Sequence, residues 1–176
     1  MLTKKINAVL SLIITVLIFA HAVSMALCML SMGKIDRIPE PMSWALSGLV
    51  LLHAFICIYS AVAAHSGGEH KKSKSYPKLN RATNIQRISG LLMVVFTGLH
   101  VAGAAGFMTP PRIVHAIVPP IFFAIVMAHV AVSTSKAFIS LGIGNARFVK
   151  RADVFVKVFS VLTLVADIVG FFLFVW

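Results

Sequence analysis

Five stretches of this chain are longer and more apolar than a water-exposed helix can be: Ala8 to Met32, Met42 to Ala64, Ile88 to Met108, Ile113 to Val132, and Val154 to Trp176. A hydrocarbon core about 30 Å thick takes about 20 helical residues to cross. With no water inside it, each backbone N–H and C=O has to be paired within the segment, which leaves the α-helix as the solution. The sequence therefore predicts an all-α fold, an integral membrane bundle of five transmembrane helices at approximately 6–32, 42–64, 86–108, 113–138 and 153–176. Together they make one transmembrane domain over 1–176. Of the 176 residues 59% are hydrophobic and 12% charged, so little chain remains for an extramembrane domain, and any soluble chemistry belongs to a partner.

Sixteen Lys and Arg against five acids give a formal charge of +11, and their placement carries more than their sum. If five helices alternate in direction, one side collects Lys4 and Lys5, the cluster Lys71, Lys72, Lys74, Lys78, Arg81 and Arg87, and the group Lys136, Arg147, Lys150, Arg151 and Lys157. The other side has Lys34, Arg37 and Arg112. The positive-inside rule then predicts a cytoplasmic N-terminus, an external Trp176 and a multi-pass protein of the inner (cytoplasmic) membrane. The basic face suits anionic membrane lipid and an acidic soluble subunit; no nucleic-acid-binding pattern is present. Lys4 and Lys5 precede an apolar run too long for a signal peptide and without a small-residue cleavage site, which predicts a first membrane helix. Cys28 and Cys57 form no C-x-x-C pair and are expected as small buried residues, and His65 and His70 as solvated ones.

Four other histidines are expected inside the membrane, one on each of the first four helices. Counting from the basic ends at about 1.5 Å per residue, His21 and His100 lie about 20 Å in, His53 about 17 Å and His129 about 10 Å. His21 follows Asn7 by fourteen residues, and His100 follows Gln86 by the same offset. The result is an outer pair from the first and third helices and an inner pair from the second and fourth. Intramembrane ionisable side chains point to function by default. Two imidazole pairs at two depths suit two b-type haems, each iron taking one axial nitrogen from either side with the apolar macrocycle between helices. Small residues at Gly90, Gly98, Gly103 and Ala54 would let such a group approach the backbone. Interhelical hydrogen bonding alone is the plainer alternative. Zinc is disfavoured because neither pair carries a cysteine or a nearby carboxylate.

At this level of detail the chain resembles the five-helix, dihaem cytochrome b membrane subunit of succinate dehydrogenases and quinol:fumarate reductases. Ile85-Gln86, then Ser89-Gly90, then His100 ten residues after the glycine, is similar to that family's third ligand helix. His53-Ala54-Phe55 resembles the second, His129 with Lys136 seven positions on resembles the fourth, and the fifth helix bears no histidine. The resemblance implies that His53 and His129 hold the inner haem b and His21 and His100 the outer one. It also implies a flavoprotein subunit and an iron–sulfur subunit on the cytoplasmic face, and a quinone, menaquinone by the habit of the dihaem branch. Such a subunit carries electrons between quinone and the soluble enzyme and does not itself catalyse dicarboxylate chemistry. Two positions depart from the family pattern: Met127 stands where some members carry a glutamate, and Ser11 where a glycine is expected.

Arg87 and Lys136, at the cytoplasmic ends of ligand helices, are candidates for haem propionates. Glu40, His115 and Arg112 at the outer ends, and Asp167 within the fifth helix, are candidates for quinone and proton chemistry. The paired Pro119-Pro120 predicts a kink in the fourth helix. Other functions compatible with the sequence are the cytochrome b of a formate dehydrogenase or hydrogenase, a haem-free anchor, and a small transporter using Asp167 and the prolines.

Overall fold

The structure, a computed structural model, describes residues 2–34, 40–66, 77–107 and 112–175. It is all-helical over these residues, with α1 at Leu2–Leu30, α2 at Glu40–Ser66, α3 at Pro77–Ala104, α4 at Arg112–Leu141 and α5 at Ala146–Val175. All five are long and apolar enough to span a bilayer, which makes this a multi-pass membrane protein. The helices outrun the apolar stretches. α3 begins at Pro77, nine residues before its expected start, and α5 at Ala146, seven residues before its own. Hydropathy marks only the part of a helix that meets lipid, whereas the backbone ladder continues into the polar boundary until something ends it. Pro77 fits the first position of a helix, where its missing N–H has no helical partner to lose. Asn145 caps α5, its Oδ1 accepting from the Phe148 amide at 2.9 Å.

The closing turns are alike in α3 and α4. Gly106 and Gly142 take positive φ, and the next amides, Phe107 and Ile143, reach back five residues to the Ala102 and Phe138 carbonyls. This is the left-handed cap that glycine allows. α4 continues through Pro119 and Pro120 without interruption.

Helix contacts define a ring. α1 packs on α2 and α4, and α3 packs on α2 and α4, while the backbones of α1 and α3, like those of α2 and α4, make no close approach across the ring among the described residues. α5 lies outside this ring, against α1 and α4. Rings fix the directions: Phe123 meets Phe171 and Phe138 meets Phe148, so α4 and α5 are antiparallel. Phe19 meets Phe159 at 4.7 Å, and Gly170 lies against Ala26 and Met29, so α1 and α5 are parallel.

The packing is lopsided. α1, α4 and α5 supply most of the buried residues, among them Ile14, Ile18, Met29, Val126, Met127, Val130, Val156 and Phe171. α3 adds the stripe Ser89, Met93, Thr97, and α2, among the described residues, only Val50. α5 buries Ser160, Thr163 and Asp167 at helical spacing, a polar seam where small side chains let helices approach. Asp167 is only 2% exposed. Along α5 it falls between the Phe159 and Gly170 contacts to α1, on a helix that packs against α1 and α4.

The seam is tight enough to test by substitution. A Cβ on Gly170 would lie 3.2 Å from the Met29 Cβ and 3.4 Å from the Ala26 carbonyl oxygen, whereas one on Gly48 would meet nothing within 4 Å. Gly170→Leu is expected to lower stability by about 1–3 kcal/mol through overpacking. Gly48→Leu is expected to leave it near wild type, with thermal unfolding of the detergent-solubilised protein as the readout.

Candidate functional site

The ring places its four histidines on its two diagonals. His21 of α1 and His100 of α3 lie on one, His53 of α2 and His129 of α4 on the other. The imidazoles of each pair are near enough to interact electrostatically across the ring. Between the inner pair is a cavity of about 30 Å³, room for about one water molecule. All four ring helices line it, through Ser11, Thr15, Ile18, His53, Met93 and His129 among others.

His129 is the best-held of the four. Its Nδ1 lies 3.0 Å from the Ser89 hydroxyl, which lies 2.6 Å from the Ile85 carbonyl oxygen. Gly90 leaves room for the ring, since a Cβ there would come within 3.1 Å of His129 Cε1. Seven residues along α4, the Lys136 ammonium donates to Gln86 Oε1 at 2.7 Å and to Thr83 Oγ1 at 3.2 Å. Arg87 is exposed and close enough to Lys136 for the two cations to repel. Among the described residues the one ion pair is Asp153 with Lys157, and no described acid pairs with Lys136 or Arg87.

His53 has a different partner. Its Nε2 lies 3.6 Å from the Cys57 sulfur one turn on, and the Asn7 amide of α1 reaches the same sulfur at 3.4 Å. Cys57 is therefore not the buried residue expected; it is exposed at the edge of the ring and joins α1 to α2, while Cys28 is half-buried. His100 stacks obliquely on Phe122 at 5.3 Å, and Phe122 in turn lies parallel to Phe96. The Nδ1 atoms of His21 and His53 are buried and have no hydrogen-bond partner. A buried polar atom without a partner costs about 1–3 kcal/mol, so both nitrogens mark places where a coordinating or hydrogen-bonding group belongs.

Other expected site residues are more scattered. Glu40 opens α2, Arg112 opens α4 and His115 is in its first turn, but their side chains lie outside the described residues, as do those of His65 and His70. Of the small residues expected beside the ligands, Gly90 touches a histidine; Gly98 and Gly103 face open space. Met127 is core, and Ser11 lines the cavity. Asn7, Cys57, Ser89 and Gln86 as partners on the inner site were not foreseen. No motif gave these partnerships, which depend on the register of α3 against α4 and of α1 against α2.

No group of three or more His, Cys, Asp or Glu that could enclose a metal ion occurs among the described residues. Bis-imidazole ligation needs two nitrogens on opposite sides of one iron, with the macrocycle supplying the other four ligands. The donor chemistry of the diagonal pairs and the partnerless buried nitrogens suit such a group, while the space beside Gly90 is taken by the His129 ring. The seat itself is narrow, and α2 is the wall with the least packing to hold it closed. No known protein family, no curated protein and no solved structure matches the chain.

Lys136→Met removes a charged donor shared by two acceptors on α3. Hydrogen bonds to charged groups contribute about 1.5–3 kcal/mol, so a stability loss near the lower figure is expected in thermal unfolding, since Lys136 is only partly buried. Gln86→Leu is expected to reproduce most of it, and the double variant to cost less than the sum of the two single variants.

Proposed function

We propose that the protein is a dihaem cytochrome b that carries electrons across a membrane between a quinone and a soluble dehydrogenase or reductase, of the succinate dehydrogenase and fumarate reductase type. The observation that carries this reading is the diagonal pairing of four histidines in a ring of four helices. Hydrogen-bonding histidines need only one neighbouring helix each, whereas pairing across a lumen suits a group lying between both. His53 and His129 would hold the inner haem b, His21 and His100 the outer one. A haem b so held supplies reversible one-electron chemistry at its iron.

The chain's own residues set the conditions. The apolar side chains of Ile14, Ile18, Val50, Met93 and Val130 keep water from the inner pair. Phe96 and Phe122 give the outer pair an aromatic flank. Lys136 and Arg87, two cations at one end of the α3–α4 contact with no described acid paired to them, suit the carboxylates of a haem, each by a charge-assisted hydrogen bond. With the basic ends of the helices in the cytoplasm, that end faces the flavoprotein and iron–sulfur partners. Glu40, Arg112 and His115 belong to the opposite helix ends, where a quinone, menaquinone in this reading, would exchange electrons with the outer haem. Asp167 sits apart from them on the α1–α5 seam, which favours the helix ends as the quinone site.

A pyridine haemochrome assay on the purified protein is expected to find two haems per chain. Replacing His100 or His129 with Ala should remove one haem each and leave the other bound. Wild-type protein without haem would overturn the reading and leave the pairs as structural. For the quinone end, Glu40→Gln is expected to abolish quinone-linked turnover of the assembled complex while both haem spectra and dye-linked succinate or fumarate activity persist. Normal turnover in that variant removes Glu40 from the site.

A further inference from the structure

The inner histidines are each approached by a polar side chain from a neighbouring helix, and the geometry at His129 fixes more than position. A serine hydroxyl has one proton. At 2.6 Å from the Ile85 carbonyl oxygen that proton is committed to the carbonyl, which can only accept. The hydroxyl oxygen 3.0 Å from His129 Nδ1 is then left as an acceptor, so Nδ1 carries the imidazole proton and Nε2 presents its lone pair. Gly90, one residue further, lacks the Cβ that would crowd the ring at 3.1 Å. At His53 the corresponding contact is Cys57, a weak sulfur partner at 3.6 Å, and its Nδ1 has none. The two members of the inner pair are thus unequally prepared.

We infer that Ser89 is a positioning residue that sets the tautomer and ring angle of His129, making it the preformed ligand of the inner pair and leaving His53 to settle when the group binds. The tautomer follows from the hydrogen bonds alone; the consequence for an iron rests on the haem reading above. A metal-bound imidazole that donates its second N–H is a stronger electron donor, and loss of such a partner typically weakens binding about 10–100-fold. Removing the Ser89 oxygen should therefore raise the midpoint potential of the inner haem, since weaker donation stabilises the oxidised iron less, and should speed its loss.

The test uses the full-length protein purified in detergent, as wild type, Ser89→Ala and Ser89→Thr, with Cys57→Ala for comparison. Redox titration of each haem and haem transfer to excess apomyoglobin are the readouts, and 15N NMR of histidine-labelled protein reads the His129 tautomer directly. The expected result is an upward midpoint shift and about 10–100-fold faster loss for the inner haem alone in Ser89→Ala. Ser89→Thr, which keeps the hydroxyl, should restore both, and Cys57→Ala should do less than Ser89→Ala. Protein that carries haem but shows the same inner midpoint and loss rate in Ser89→Ala overturns the role of Ser89, as does Ser89→Thr behaving like Ser89→Ala. If wild type carries no haem, the functional reading fails separately. NMR then decides for Ser89: Nδ1–H on His129 upholds the assignment and Nε2–H overturns it.

Discussion

A polar ring in hydrocarbon must have partners for its nitrogens, and the arrangement of α1 to α4 depends on that requirement. Four imidazoles inside one bundle would, without partners, cost several kcal/mol together. Only His129 has a hydroxyl against it, and only at one nitrogen. The Nδ1 atoms of His21 and His53 are buried without a partner. The chain could have avoided this by using leucine. It instead holds the histidines in diagonal pairs around a lumen, where one central group can satisfy two rings at a time.

The rest of the structure supplies a rigid wall and a yielding one. α5, with no histidine, packs on α1 and α4 through Ser160, Thr163, Gly170 and Phe171, burying a seam too close-fitting for larger side chains. That seam anchors the two helices carrying His21 and His129. The opposite wall, α2 and α3, touches lightly, and α2 buries little beyond Val50. Packing in a membrane gains no hydrophobic driving force over lipid, so a helix holds its place by close contact or polar links. α3 has such links to α4 through Lys136–Gln86 and Ser89–His129; α2 depends on the weak Asn7–Cys57–His53 relay. Those differences make α2 the helix whose position depends most on what lies in the ring.

The fold was legible because each helix must satisfy its own backbone in lipid, so length and hydropathy alone revealed five of them. Their ends were not, because Pro77 to Thr83 and Ala146 to Asp153 are charge-bearing stretches whose helical state rests on capping and on the continuing ladder rather than on lipid contact. The pairing of the histidines was also legible, since alternating helices convert residue number into depth. Side-chain partnership was not. Cys57 looked like a buried filler because sequence shows which helix a residue is on but not which way it faces. Ser89 was visible only as part of a motif, and its hydrogen bond to His129 depends on the register of α3 against α4. Asp167 was seen as an in-membrane charge, but its place outside the ring follows from α5 packing on α1 and α4.

The central claim is that His21 with His100 and His53 with His129 form two bis-imidazole iron sites. Low-temperature electron paramagnetic resonance of the oxidised protein, purified from membranes without added haem, tests it most directly. Two low-spin ferric signals of bis-imidazole type are expected, with His129→Ala abolishing one and His100→Ala the other. A spectrum without low-spin ferric haem, or one in which both signals survive either substitution, would contradict the account.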